Sequence, residues 1–180
     1  IQPDFLIASA YKWLLCPYTL AFLYAAPHRQ NGAPLEMHRW NMAEPAPDAI
    51  AVEYPDDFNT GARRYDMGER NNPVNLGMAA VALEQLIAWG TGQIASTIEP
   101  LVDRAAALAE DRQMRVPPKA ARSKHFIGIR RDGGWPDDLE ARLAQESVFI
   151  SKRGDALRVS PYLYNEPQDI DRLFEVIDMV

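Results

Sequence analysis

"DFLIASAYKWLLCPYTLAFLY", residues 4–24, holds two apolar runs with a single lysine between them. Asp4 and Lys12 are the only charged side chains between Ile1 and Arg29. Residues 4–9 and 20–25 are short, continuous apolar runs, and Pro17 and Tyr18 turn the chain between them. Runs of this kind predict buried strands in a sheet covered on both faces. Lys12 then falls just past the end of a strand, where α/β sheets place their ligands. It is either a solvated lysine, the ordinary state of that residue, or a working amine. Tyr11 and Trp13 flank it with aromatic surface. An amine in partly apolar surroundings gives up its proton more readily and can form a Schiff base.

Residues 5–26 are long enough to cross a bilayer, but Lys12 near the middle and Pro17 after it are costly in a lipid-exposed helix. A signal peptide would begin with basic residues, and none is there. No membrane association is expected. The chain starts at Ile1 and runs almost directly into a strand, which leads us to expect a part of a longer polypeptide. The formal charge of −6 disfavours a nucleic-acid partner, which would want a basic patch. Cys16 is the only cysteine, so no internal disulfide can form and no Cys-rich metal cluster is expected. A reducing, cytoplasmic setting fits. No histidine pair has metal-ligand spacing, and His28, His38 and His125 read as surface or structural residues.

Outward from the opening, residues 26–73 carry six of the 14 prolines (Pro27, Pro34, Pro45, Pro47, Pro55 and Pro73) and little periodicity. So long a connection is normally functional or an interface arm. Helical spacing returns at Leu76, Ala79, Ala80, Leu83, Leu86 and Ile87, with Gly90 as a stop. A second helix has Ile94, Ile98, Leu101, Val102, Ala105 and Leu108 on one face, and Pro100 is expected to kink or split it. Beyond it, "HFIGIR" (125–130) reads as a strand and 136–146 as a helix with acidic residues in its first turn. "SVFIS" and "ALRVS" read as strands joined at "KRGD". A last helix starts near Asn165, with Asn165 and Gln168 at capping-box spacing and Ile170, Leu173, Phe174 and Ile177 on its buried face.

The opening stretch resembles the cofactor-lysine segment of class V aminotransferases, within the fold type I pyridoxal-phosphate enzymes, nearest the isopenicillin-N-epimerase-like branch. The family pattern is an apolar strand, a Ser or Thr two or three residues before the lysine, a turn, and a second strand. Ser9, Lys12, Pro17 and residues 20–25 match it, whereas Cys16 stands where the family usually has Gly. "RYDMGERNNPVNLGMAAVALEQL" resembles the segment that reaches a partner subunit's phosphate, with Gly68-Glu69 in place of the common Gly-Thr. "ALRVSPYLYNEPQDIDRLFEVI" resembles the C-terminal signature. The resemblance implies an α/β fold: the end of a large-domain sheet over about 1–90, a linking helix over 91–110, and a small α/β domain over 111–180, with an interface loop at about 26–73.

It further implies that Lys12 is the catalytic lysine, forming a Schiff base with pyridoxal 5'-phosphate and moving protons at the α-carbon of an amino-acid substrate. Ser9 and Tyr11 would face the cofactor phosphate. Arg70 and Asn71 could replace the missing contact there, the alternative being a solvated loop with a helix cap at Asn72 or Asn75. Arg158 would grip the substrate carboxylate through paired hydrogen bonds. The competing reading of Arg158 is a hairpin arginine paired with Asp155. A homodimer is implied, with no metal. No motif names the reaction as aminotransferase, epimerase or lyase. Residues 140–157 lack the cysteine that a desulfurase carries before the matching arginine, which disfavours persulfide chemistry. The rival to an enzyme is a truncated, non-catalytic relative acting as an association module.

Overall fold

The computed structural model of the chain describes residues 1–43 and 57–179. Pro45, Pro47 and Pro55 of the expected loop lie outside the described residues. The chain divides into two compact units, Ile1–Ala88 and Trp89–Val180.

In the first unit, β1 (Phe5–Ser9) pairs antiparallel with β2 (Ala21–Ala25), Phe5 opposite Ala25 and Ser9 opposite Ala21. The strands are where the apolar runs predict them, and the segment 5–25 contains no helix. No helix among the described residues is long and apolar enough to cross a membrane. The predicted burial fails. Phe5, Leu6, Ile7, Phe22 and Tyr24 are exposed. A two-stranded ribbon has too little neighbouring mass to cover both faces, and its single small core (Ala10, Cys16 and Ala79) packs beneath the turn rather than the strands.

The described residues of the loop after β2 are held by polar contacts, which hydrophobic periodicity does not register. Asn41 is fully buried. Its side-chain amide donates to the carbonyls of Glu36 at 2.6 Å and Arg64 at 3.3 Å, and its oxygen accepts from the His38 N–H at 3.3 Å. The Asn59 N–H donates to the Asn41 carbonyl at 2.8 Å. His38 accepts from the Trp40 N–H through Nδ1 and donates through Nε2 to the Asp66 carbonyl, which sets its tautomer. A Cβ at Gly32 would lie 2.7 Å from the Tyr65 hydroxyl, so the close approach of that ring requires glycine.

Helix α1 (Pro73–Trp89) follows. The Asn72 side chain accepts from the Asn75 N–H at 3.1 Å and Pro73 takes the first helical position, a standard start. Gly90, at φ +76°, ends the helix as predicted. Ala79 and Leu86 are its buried residues, while Leu76, Ala80 and Ile87, expected on the same face, are exposed. The helix is apolar around most of its circumference, so spacing alone could not pick the buried face.

The second unit lays helices on a three-stranded antiparallel sheet. It holds α2 (Thr91–Asp111), β3 (Ile127–Ile129), α3 (Leu139–Gln145), β4 (Ser151–Arg153), β5 (Ala156–Val159) and α4 (Pro167–Asp178), with strand order β3-β5-β4. Ile98, Leu101, Val102 and Ala105 of α2 meet Leu173 and Phe174 of α4 and Leu157 of β5 in one core. Arg104 and Arg112 of α2 clamp Asp171 and Asp178 of α4 through paired bonds of 2.6–2.8 Å. Pro100 does not split α2. Its ring is exposed, where water can serve the carbonyl it leaves unpaired. The start of α4 also differs from the sequence reading. Glu166 is the N-cap, and its N–H donates to Asp169 at 3.0 Å; Asn165 instead accepts from the Tyr162 N–H at 2.9 Å.

Candidate functional site

Lys12 sits in the turn that leaves β1. Its carbonyl accepts from the Leu15 N–H at 3.0 Å, and the Cys16 N–H returns to the Ala10 carbonyl at 3.1 Å. The turn places positive φ on Leu15 (55°) and Thr19 (68°), not on Cys16, so a cysteine is conformationally free where the family has glycine. The Asn75 amide donates to the Tyr18 carbonyl at 3.3 Å and the Thr19 hydroxyl at 3.0 Å, pinning the turn to α1. Cys16 is buried, its S–H donates to the Leu14 carbonyl, and burial pushes its thiol pKa up, which suits packing rather than nucleophilic chemistry.

The Lys12 ammonium is exposed and lies 5.0 Å from the centre of the Tyr11 ring, which itself stacks on Tyr18 at 4.6 Å. The chain has four lysines. Lys119 pairs with Asp103 at 2.7 Å, Lys124 with Glu99 at 3.0 Å, and Lys152 with Asp137 at 3.4 Å. Lys12 is the one with no carboxylate partner among the described residues. Ser9, at the end of β1, is likewise exposed, and its hydroxyl has no hydrogen-bond partner among the described residues. The exposed amine of Lys12, the Ser9 hydroxyl and the Tyr11 ring thus lie within four residues at the end of β1.

Arg70 and Asn71 precede α1. Arg70 is engaged by the Asp66 carboxylate, while its buried Nε has no partner. Asn71 is exposed, and the cap falls to Asn72.

Arg158 belongs to the second unit. On β5 it stands opposite Gly128 of β3 and Ser151 of β4. It does not pair with Asp155. That carboxylate accepts from Arg130 at 2.8 Å, and the guanidinium holds its pKa below the usual carboxylate value. The Arg158 side chain makes no hydrogen bond or ion pair with any described residue, and its Nε is buried without a partner. It lines a cavity of about 610 Å³ between residues 147–151, the end of β5 and the start of α4. Phe149, which sequence reading passed over, and Tyr164, which it met only within the C-terminal stretch, also line it. The signal for Phe149 lay in the alternation of "VFI", because Val148 and Ile150 pack on the core. Among the described residues, no three His, Cys, Asp or Glu side chains are grouped to hold a metal.

The architecture is an α/β fold matching the C-terminal region of fold type I pyridoxal-phosphate enzymes. The cysteine desulfurase of Thermococcus onnurineus NA1 superposes with a TM-score of 0.77 at 18% identity, over 98% of this chain and 46% of that one. A variant of the cystine C–S lyase C-DES, with glycine covalently linked to its pyridoxal-phosphate cofactor, gives 0.78 at 15% identity, over 97% and 46%. In sequence, the chain is 26% identical over 190 residues to isopenicillin N epimerase of Streptomyces clavuligerus, covering 99% of this chain and 47% of that protein. No family model matches. The chain thus spans about half the length of the relatives it matches.

Proposed function

We propose that this chain contributes the lysine and the carboxylate-binding arginine of a pyridoxal-phosphate enzyme acting at the α-carbon of an amino acid. The observation that carries the reading is Lys12, the one lysine without a carboxylate partner among the described residues, on the turn that ends β1. Its likeness to isopenicillin N epimerase and to a fold whose solved members include a pyridoxal-phosphate protein supports the cofactor class.

The cofactor, when bound, supplies an electron sink for charge developing at the α-carbon. Lys12 would hold the cofactor aldehyde and take and return the α-proton. The Ser9 hydroxyl and Tyr11 phenol would donate to phosphate. Arg70 would add the edge of its guanidinium that Asp66 leaves free, and Asn71 its amide. Arg158 would orient the substrate by its carboxylate, the geometry in which a guanidinium binds best. Contacts from residues 68–71 to a partner's phosphate make a homodimer, in a cytoplasmic setting, part of the proposal. Cys16 is buried and no cysteine lies on 147–151, so the chain offers no cysteine for sulfur transfer. The reaction is left among transamination, epimerisation and lyase chemistry.

The test is reductive trapping. Pyridoxal 5'-phosphate is added to the chain, borohydride follows, and the adduct is mapped by mass spectrometry. Lys12 should carry it, with Lys12→Ala abolishing the accompanying absorbance near the visible edge. Labelling spread evenly over Lys119, Lys124 and Lys152 would sink the proposal. The exposed apolar faces of β1, β2 and α1 favour a second reading, a non-catalytic association module. A melting temperature and oligomeric state that ignore added cofactor would support it.

A further inference from the structure

Arg158 shares its cavity with a carboxylate that the fold leaves half used. Asp169, on the first turn of α4, lines the same wall. It accepts from the Glu166 N–H and from the Asn165 amide, both at 3.0 Å, and both bonds fall on Oδ2. No donor among the described residues reaches Oδ1, and no cation among them pairs with either oxygen. The two bonds hold the pKa below the ordinary carboxylate value, so the group is ionised at neutral pH. The third charged residue of the wall, Arg172, is answered by Glu146 at 2.7 Å and Glu175 at 3.4 Å.

Arg158 and Asp169 thus carry the two unanswered charges of one cavity, and they do not answer each other. No ion pair joins them, so a gap separates guanidinium from carboxylate, and a cavity of about 610 Å³ is open to both. A ligand with a carboxylate at one end and a cation at the other can span that gap and meet both. An ammonium suits Oδ1, because it brings several donors on a compact charge and the oxygen has lone pairs to spare. A neutral group leaves Oδ1 to water. A second carboxylate on the ligand brings like charge toward it.

Under the reading in which Arg158 holds the α-carboxylate, on which this step rests, the α-amine is committed to the cofactor aldehyde. The cation that meets Asp169 then sits on the ligand's side chain. We propose that the cavity favours basic α-amino acids, with Asp169 accepting the side-chain ammonium through Oδ1. The experiment follows the Arg158 Nε–H and the Asp169 carboxyl carbon in NMR spectra of the chain during titration with L-lysine, L-norleucine, L-glutamate and ε-aminocaproate. Norleucine is lysine without the side-chain ammonium, and ε-aminocaproate is lysine without the α-amine. Lysine and ε-aminocaproate should move both signals. Norleucine should move Arg158 alone and bind about threefold more weakly than lysine, as suits one pair at an exposed carboxylate. Glutamate should bind more weakly still. Asp169→Asn keeps an oxygen for the Glu166 N–H and puts an amide in place of the open one. Lysine should then fall to the affinity of norleucine, with norleucine itself unchanged. The unsubstituted chain decides alone if the α4 cap does not tolerate that change. If lysine and norleucine bind equally and Asp169 stays still, the carboxylate site stands and the preference is overturned. If norleucine also moves Asp169, the α-ammonium is what reaches it, and the side-chain preference is overturned as well. If no ligand shifts Arg158, the carboxylate assignment and the preference fall together.

Discussion

Replacing Arg158 with methionine should stabilise the chain in the absence of ligand. Methionine keeps the length and apolar stem of the side chain and removes the guanidinium. In the structure that guanidinium has no partner among the described residues, and its Nε is shut off from solvent. A buried donor left unsatisfied costs about 1–3 kcal/mol. The side chain as a whole is only half-buried, so the gain should sit near the lower end, about 1 kcal/mol. With a urea m-value of about 2 kcal/mol/M, the midpoint should rise by about 0.5 M. Urea unfolding followed by far-UV circular dichroism measures it. Added L-leucine should then reverse the order, stabilising the native arginine but not the methionine variant, since a ligand that binds only the folded state stabilises it by mass action. A loss of about 1 kcal/mol or more on substitution would refute the reasoning. It would mean that the guanidinium is held by bonds of its own and is a structural group.

Other perturbations test the frame around the site. Leu157→Ala empties a fully buried position beside Arg158 and should cost about 3–5 kcal/mol by urea denaturation, the range for large-to-small changes in a tight core. Asn41→Ala leaves the Glu36 and Arg64 carbonyls unpaired and should cost about 2 kcal/mol, read as faster amide exchange at Asn59. Asp178 is held below its ordinary pKa by the Arg112 guanidinium, and Asp103 by the Lys119 ammonium. Because the unfolded chain takes up these protons first as pH falls, the stabilisation is complete above the unfolded carboxylate range near pH 4 and is lost as pH drops through the lower folded values. A melting temperature that climbs on acidification from pH 5 to pH 3 would contradict this.

The faces of α2 and α4 were legible in sequence because each helix turns one apolar stripe to the same core. β1 and β2 were legible as strands but not as exposed ones. A continuous apolar run records that a strand can be covered, not that this chain supplies the cover. Asn41 left no trace in any pattern, since its value comes from carbonyls 5 residues before it and 23 after it in the chain. The α4 cap was misplaced by one residue because Asn165 and Glu166 both have an acceptor three positions from a backbone donor. Only the backbone geometry decides between them.

Lys12 was singled out by its apolar setting as well as by resemblance, and Arg158 by resemblance, yet the physical argument for each now comes from what surrounds it. Carboxylates outnumber Lys and Arg by 25 to 19 in this chain, so an acidic partner is readily available to any cation. The other three lysines have found one, and so have most arginines. Among the described residues no ion pair is seen for Arg63, Arg64, Arg131 or Arg153 either, but Arg63 and Arg153 are exposed, Arg64 donates to the Asn59 and Gly32 carbonyls, and Arg131 lies over the Trp135 ring. Arg158 has neither carboxylate nor full solvent. It could have been paired with Asp155, three residues away, but Asp155 lies in the turn between β4 and β5, and Arg130 holds that carboxylate instead. A half-buried guanidinium without a counter-charge is unfavourable in the ligand-free protein. A carboxylate arriving from solvent removes that cost, so the same feature that weakens the fold raises affinity for an anion of the right shape.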